Sequence, residues 1–241
     1  MLDTADTTAA RKRLIVALDV PTVHEASALV DRLGDSVAFY KVGLQLVMQG
    51  GMTFVRELKS RGHSVFLDVK FLDIDATVEK ATANAALSGA DFLTVHAVDG
   101  KTLRAAARGA AGSQLRVLGV TVLTSLTAED VAEQGIFERP ADLVVRRARL
   151  AEDAGCHGVI ASGLEAASVR AAIPKADFSI VTPGIRLPSN DVADQARVAT
   201  PGSAIRDGAT HLVVGRPITE AGDPKAAADN FIAEISSALS A

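Results

Sequence analysis

The sequence predicts a single α/β domain folded as a (β/α)8 TIM barrel, and three observations support that prediction. Eight short apolar runs alternate with alanine-rich segments of helical periodicity along the 241 residues. The runs are apolar almost throughout, which is typical of parallel strands buried on both faces. No proline- or serine-rich linker divides the chain, so we interpret residues 1–241 as one domain with a polar N-terminal extension at 1–13.

The predicted strands and helices follow in strict alternation. The strands are LIVALD (14–19), VAFYK (37–41), SVFLDVK (64–70), FLTVHA (92–97), LRVLGVTVL (115–123), HGVIAS (157–162), FSIVTPG (178–184) and HLVVGR (211–216). The helical segments are VHEASALVDRL, TFVRELKSR, TVEKATANAALSG, KTLRAAARGAA, a longer stretch from Thr127 to Ala154, LEAASVRAAI, PGSAIRDG and DPKAAADNFIAEISSAL. An open doubly wound sheet is the alternative, but its GxGxxG fingerprint is absent after the first run, where LIVALDVP stands.

Composition argues against several classes of function. The net charge is -4 and no segment is strongly basic, so nucleic acid is not an expected partner. No apolar run reaches the roughly 18 residues that a membrane span needs, and MLDTADTTAARKR lacks the apolar core of a signal peptide. Cys156 is the only cysteine, which excludes an internal disulfide and a cysteine-rich metal site. A soluble cytoplasmic protein without a membrane partner is expected.

A polar residue or a glycine closes every predicted strand. These residues are Asp19, Lys41, Asp68 with Lys70, His96, Thr124, Ser162, Gly184 with Arg186, and Gly215 with Arg216. In a barrel of this kind the C-terminal strand ends converge on one mouth, where the active sites of the fold lie. The sequence therefore predicts a functional site built from these residues.

The charged residues at the first three strand ends predict an acid–base site. Asp68 and Lys70 are two residues apart, so a regular strand would aim both side chains the same way. With Asp19 and Lys41 on the neighbouring strands, two anions and two cations can alternate, which favours the charged form of each. Such an array holds a lysine protonated and aimed, as a general acid requires. A purely structural ion pair at the strand end remains the alternative.

The last two strand ends predict a phosphate site. Barrels often bind phosphate with the loops after strands seven and eight, and here VTPGIR and VVGRPIT occupy those positions. Gly215 allows close backbone approach, and Arg216 offers a bidentate guanidinium. Segment 183–203 is long and rich in proline, glycine and polar residues, so we interpret it as a lid over bound phosphate. An ordinary turn at Gly215 and a mobile surface loop are the alternatives.

These motifs together resemble the orotidine 5'-monophosphate decarboxylase family. DVKFLDIDATV, with Asp68, Lys70, Asp73 and Thr77, is similar to the family signature DxKxxDIxxT. The supporting matches, in family order over about residues 14–238, are ALDVP, YKVGLQL, VTVLTS, VTPGIR, Gln195 and VVGRPI. The chain departs from the family's usual HDIPNT at Leu72, Asp75 and Ala76, and AVDG follows His96 where two glycines are more usual.

The resemblance implies an activity and a role for each matching residue. The family converts orotidine 5'-monophosphate to uridine 5'-monophosphate (UMP) and CO2, the last step of de novo UMP biosynthesis, without metal or organic cofactor. It also implies a homodimer with shared active sites. The implied roles are Lys70 as proton donor to C6, Asp68 beside the substrate carboxylate, Lys41 and Asp19 at the ribose, Asp73 and Thr77 reaching in from the partner chain, Thr124 at the pyrimidine edge, Gln195, Gly215 and Arg216 at the phosphate, and Arg186 on the closing loop.

Two other functions remain open at this point. A metal-dependent sugar-phosphate barrel enzyme, such as a keto-gulonate-phosphate decarboxylase or hexulose-phosphate synthase, shares part of the DxKxxD motif and would lose activity with a chelator. A non-catalytic nucleotide-phosphate binding module would bind UMP without turnover. Two further expectations concern single segments: His96 supports the structure rather than transferring protons, and RRAR at 146–149 is a solvated helix face.

Overall fold

A computed structural model describes residues 4–187 and 199–240, in which eight parallel strands close into a barrel. The strands are β1 Leu14–Ala17, β2 Phe39–Gly43, β3 Ser64–Phe71, β4 Phe92–His96, β5 Arg116–Val120, β6 Gly158–Ile160, β7 Ser179–Pro183 and β8 His211–Val214. Each strand pairs in parallel with the next along the chain, and β8 pairs with β1 to close the ring. The predicted single-domain (β/α)8 barrel is confirmed.

Helices follow the strands around the outside of the barrel. Their bounds are α1 Thr4–Arg13, α2 Val23–Leu33, α3 Leu44–Val47, α4 Gly51–Ser60, α5 Asp75–Leu87, α6 Gly100–Ala110, α7 Ala128–Glu133, α8 Pro140–Asp153, α9 Ala166–Ala172, α10 Pro201–Arg206, α11 Arg216–Thr219 and α12 Pro224–Leu239. Local sequence sets where several of them begin. Thr127 caps α7 in a capping box with Asp130, and the Asp99 carboxylate accepts the Thr102 N–H at the start of α6. Within the described ranges, no helix is long and apolar enough to cross a membrane.

The core has two layers because alternate strand residues point inward and outward. The outer layer lies between strands and helices, while the barrel interior is filled by Ile15, Ala17, Phe39, Phe66, Phe92, Leu118, Val181 and Val213. Three phenylalanines dominate that interior: the Phe39 and Phe92 ring centroids lie 5.1 Å apart, and those of Phe66 and Phe92 lie 6.1 Å apart. His211 packs edge-on against Phe92 at 5.0 Å. The barrel interior between the described strands is therefore filled with side chains.

The polar N-terminal segment contains a helix. Residues 1–13 were expected only as an extension of the domain, but Thr4–Arg13 form α1, which contacts α12 and strands β1, β2 and β8. Ala10 is fully buried in this contact and belongs to the main core. Helix α1 therefore packs onto the barrel itself.

Candidate active site

Four charged side chains alternate in sign across the mouth of the barrel. Lys41, on β2, places Nζ 2.8 Å from Asp19 Oδ1 and 3.4 Å from Asp68 Oδ2. On β3, Lys70 Nζ lies 2.7 Å from the other carboxylate oxygen of Asp68. The structure thus brings together Asp19, Lys41, Asp68 and Lys70 in an unbroken chain of ion pairs, which we call the charged quartet.

Burial differs strongly within the charged quartet. The side chains of Lys41 and Asp68 are 10% and 13% exposed, whereas those of Lys70 and Asp19 are 30% and 58% exposed. Burial alone would raise the pKa of Asp68, but the Lys41 and Lys70 ammonium groups and hydrogen bonds from Lys70 and Thr94 outweigh it and lower that pKa. Asp68 is therefore a carboxylate at neutral pH, with a cation on each oxygen.

Strand β3 is irregular where it carries the site. Phe66 and Leu67 pair with Phe92 and Leu93, but the next pairing joins Phe71 to Val95, so β3 has two more residues than β4 between these pairs. Within the bulge Lys70 has a φ of 50°, in the left-handed region that non-glycine residues rarely adopt. The expectation that Asp68 and Lys70 point the same way because of regular strand alternation therefore rests on a wrong reason. A β-bulge changes the direction of the Lys70 side chain.

Two residues that the sequence analysis did not select also shape the charged quartet. Thr94, on β4, is fully buried; its Oγ1 accepts the Lys70 N–H at 3.0 Å and donates to Asp68 Oδ1 at 2.9 Å. At Gly43 a Cβ would lie only 3.2 Å from Lys41 Nζ and 3.3 Å from Asp19 Oδ1, so glycine leaves room for that ion pair. A polar residue inside the apolar run FLTVHA was the available signal for Thr94.

Two cavities open from the charged quartet. The smaller, of about 90 Å³, is mostly apolar and is lined by Lys41, Asp68, Lys70, Phe66, Val120, Val122, Leu123, Thr124, Ile160, Pro183 and Val213. The larger, of about 310 Å³, shares Lys41 and Asp68 and is lined further by Asp19, Gly184, Arg186, Gly215, Arg216 and Thr219. One ligand could therefore place an apolar ring in the first cavity and an anionic group between the two arginines of the second.

Arg186, Gly215 and Arg216, which the sequence places at the phosphate site, line the larger cavity from two sides. Arg186 follows β7, and its Nη1 donates to the Ile185 carbonyl at 2.9 Å. Gly215 precedes α11, which begins with Arg216. A Cβ at Gly215 would lie 3.7 Å from Ala17 Cβ and 4.0 Å from Asp19 Oδ2, so packing does not require glycine there. The missing side chain instead leaves the cavity open beside the backbone.

Two predicted site residues, Asp73 and Thr77, are not joined to the charged quartet in the described part of this chain. Asp73 lies on the exposed loop after β3, where its Oδ1 accepts the Ile74 N–H at 2.6 Å. Thr77 is exposed in the first turn of α5. In the part of the chain that the structure describes, neither makes an ion pair or hydrogen bond with the charged quartet. Gln195, like most of the predicted lid, lies outside the described residues.

The charges of Lys70 and Arg147 act on His96 at the end of β4. Burial is the largest cause that lowers the pKa of His96, and the charges of Lys70 and Arg147 lower it further against the opposing effect of Asp68.

The expectation that RRAR at 146–149 is a solvated helix face is wrong for Arg147. Arg146 and Arg149 are exposed, but Arg147 is buried, and its Nη1 donates to the Thr121 carbonyl at 2.6 Å, just past the end of β5. The Arg147 side chain is long enough to reach the Thr121 carbonyl from α8.

Comparison with known proteins identifies the family of this chain. The family model described as Orotidine 5'-phosphate decarboxylase / HUMPS family matches residues 12–231. Orotidine 5'-phosphate decarboxylase from Lactobacillus acidophilus is 36% identical, with 92% of this chain and 98% of that chain covered and a TM-score of 0.81. An uncharacterized conserved protein from Geobacillus kaustophilus is 33% identical over 92% of this chain and 99% of that one, with a TM-score of 0.79.

A more distant relative has the same fold. Orotidine 5'-phosphate decarboxylase from Pyrococcus horikoshii OT3 is 25% identical, with 92% of this chain and 98% of that chain covered and a TM-score of 0.75. The family model spans nearly the whole barrel, and the similar structures are covered almost end to end. The chain therefore belongs to the orotidine 5'-phosphate decarboxylase / HUMPS family.

Proposed function

We propose that this protein decarboxylates orotidine 5'-monophosphate to UMP and CO2. The observation that carries the proposal is the Lys70 ammonium, held 2.7 Å from Asp68 and lining the small cavity that also contains Thr124. An ammonium held beside a mostly apolar cavity is what protonation of a ring carbon requires. Family membership and 36% identity to a decarboxylase support the same reaction.

In the proposed reaction, Lys70 is the proton donor. The bond between C6 and the carboxylate breaks, its electron pair remains on C6, and CO2 leaves. Lys70 Nζ stabilises the developing carbanion electrostatically and then transfers one proton to C6. The neutral amine regains a proton from water, to which this side chain is 30% exposed. The Asp68 carboxylate, beside Lys70, would repel the substrate carboxylate until CO2 departs.

The remaining residues would bind the nucleotide along the two cavities. In this proposal Asp19 and Lys41 bind the ribose hydroxyls, and Thr124 contacts the pyrimidine edge. The residues that would bind phosphate are Arg186, Gln195, Gly215 and Arg216. Because the phosphate lies away from C6, its binding energy can be used to order the site around the reacting ring. No metal or organic cofactor enters this scheme.

A homodimer with shared sites is part of the proposal. Apolar side chains in the segments after two consecutive strands are unusually exposed: Leu44 and Met48 after β2 at 55% and 81%, and Leu72 and Ile74 after β3 at 55% and 71%. Such a patch favours a protein partner. Asp73 lies between Leu72 and Ile74 in the sequence. A second copy bound to this face would therefore have the Asp73 of the first copy next to its own charged quartet.

Turnover is tested directly by adding orotidine 5'-monophosphate to the purified protein and following the loss of its ultraviolet absorbance. We expect turnover by the parent and none by Lys70→Ala, with UMP binding retained by both. Parent protein that binds UMP without turnover would identify a binding module instead.

The family description also names HUMPS, so a metal-dependent sugar-phosphate reaction is the second candidate. A chelator separates the two, because it should leave the decarboxylation unchanged and abolish the metal-dependent reaction.

Shared sites are tested by mixing two inactive variants. Lys70→Ala chains combined with Asp73→Ala chains should regain part of the activity, because each hybrid dimer contains one site with both residues intact. Each variant alone is the control. Variants that exchange subunits and remain inactive when mixed would contradict the shared site.

A further inference from the structure

We propose that Thr94 is a positioning residue that holds the Lys70 backbone and the Asp68 carboxylate together through one shared hydroxyl group. The inference rests on the proposed function, because it assigns Thr94 to the same proton transfer. Thr94 does not line either cavity that opens from the charged quartet, so it would act through its two neighbours and not on the substrate.

The hydrogen bonds of Thr94 have a fixed direction. A backbone N–H can only donate, so Oγ1 accepts from Lys70, at 3.0 Å. A carboxylate can only accept, so the single hydroxyl hydrogen points to Asp68 Oδ1, at 2.9 Å. No other arrangement of that hydrogen satisfies both neighbours. The threonine therefore fixes the distance between the bulge of β3 and the carboxylate that pairs with Lys70.

The Lys70 backbone needs such support. At a φ of 50° a residue with a side chain is strained, and strained backbone persists only where its surroundings hold it. The register shift between β3 and β4 interrupts the regular pairing at this point. The acceptor for the Lys70 N–H is a side chain of the neighbouring strand, and Thr94 is fully buried there.

The Asp68 carboxylate also needs the hydrogen bond from Thr94. Oδ1 accepts from both Lys70 Nζ at 2.7 Å and Thr94, while Oδ2 faces Lys41 Nζ at 3.4 Å. The hydroxyl thus restricts rotation of the carboxylate so that each oxygen keeps its own cation. Without it, Lys70 could follow the carboxylate away from the position in which its proton reaches the ring carbon.

The test compares Thr94→Val, which replaces the hydroxyl by a methyl group and so removes both hydrogen bonds, with Thr94→Ser, which keeps the hydroxyl. Because small misplacements of reacting groups cost up to roughly 100-fold in rate, we expect Thr94→Val to lower kcat about 10- to 100-fold with a smaller change in KM. Thr94→Ser should retain most of the activity. Loss of the Thr94 hydrogen bond should also raise the pKa of Asp68 and shift the acid limb of the kcat–pH profile to higher pH.

Thr182→Val is the matched control. Thr182 is also a fully buried barrel-strand threonine, but among the described residues its Oγ1 has no hydrogen-bond partner. Its replacement should leave kcat unchanged. If Thr94→Val does not fold, Thr94→Ala is measured in its place with the same expectation.

Amide hydrogen exchange at Lys70, followed by NMR, tests the inference without turnover. Exchange should accelerate in Thr94→Val and remain slow in Thr94→Ser and Thr182→Val. An inactive parent protein would refute the proposed function, and accelerated exchange would then still support the positioning of Lys70. An active parent with unchanged kcat and unchanged Lys70 exchange in Thr94→Val would overturn the inference.

Discussion

Replacing Lys41 with methionine should destabilise the protein, because it removes one of two cations from a buried carboxylate. Lys41 Nζ lies 3.4 Å from Asp68 Oδ2, and at an effective dielectric constant of about 20 such a pair attracts by about 5 kcal/mol. Lys70 remains on the other oxygen, and partial hydration of Asp68 recovers some of the loss. We therefore expect the free energy of unfolding at pH 7 to fall by about 3 kcal/mol.

Urea unfolding followed by circular dichroism measures this loss, and pH provides an internal check. In the parent the folded pKa of Asp68 is lowered, so its stabilising effect is present above the unfolded pKa and is lost as pH falls through the folded value. In Lys41→Met that pKa should rise, so the difference between variant and parent should shrink in acid. Lys41→Met/Asp68→Asn should be more stable than Lys41→Met. A single variant as stable as the parent at pH 7, or a double variant less stable than the single one, would refute the reasoning.

Three further predictions concern the rest of the fold and the proposed dimer. Burial and the charges of Arg13 and Arg116 lower the pKa of His211 to about 4 in the folded protein. Because the unfolded chain protonates this histidine at higher pH, the free energy of unfolding should fall by about 3 kcal/mol between about pH 6.5 and 4. Urea titrations of His211→Phe should lack this part of the acid dependence. Arg147→Met removes a cation near His96, and an NMR titration should show the His96 pKa rising. Ile74→Glu places a charge on the exposed apolar patch, so size-exclusion chromatography should show a shift from dimer to monomer. The monomer should still unfold cooperatively on heating.

The barrel was predictable because its strands carry a strong local signal. Each run is apolar almost throughout, and a polar residue or a glycine closes each one, so the strand order and the common mouth follow from the sequence. The charged quartet could be found for the same reason, since Asp19, Lys41, Asp68 and Lys70 all stand at or near the ends of the predicted apolar runs, although in the structure Lys41 lies within β2.

The details of the site were not predictable in the same way. The spacing of Asp68 and Lys70 fits a regular strand, and only pairing with β4 shows the two additional residues of the bulge. Thr94 reads as an ordinary β-branched strand residue until its two neighbours are known. Arg147 was misassigned because arginines on helices usually face water, whereas this one meets the Thr121 carbonyl beneath the helix.

The surroundings of the two lysines distinguish their proposed roles. Lys41 is 10% exposed and lies between two carboxylates, those of Asp19 and Asp68, so it is held in place and poorly supplied with water. Lys70 is 30% exposed and, among the described residues, pairs with one carboxylate only. A proton donor must be replenished from solvent after each turnover, which suits Lys70 and not Lys41. A second carboxylate beside Lys70 would have to come from outside this chain, and the exposed Asp73 of a second copy is the group that our dimer proposal supplies.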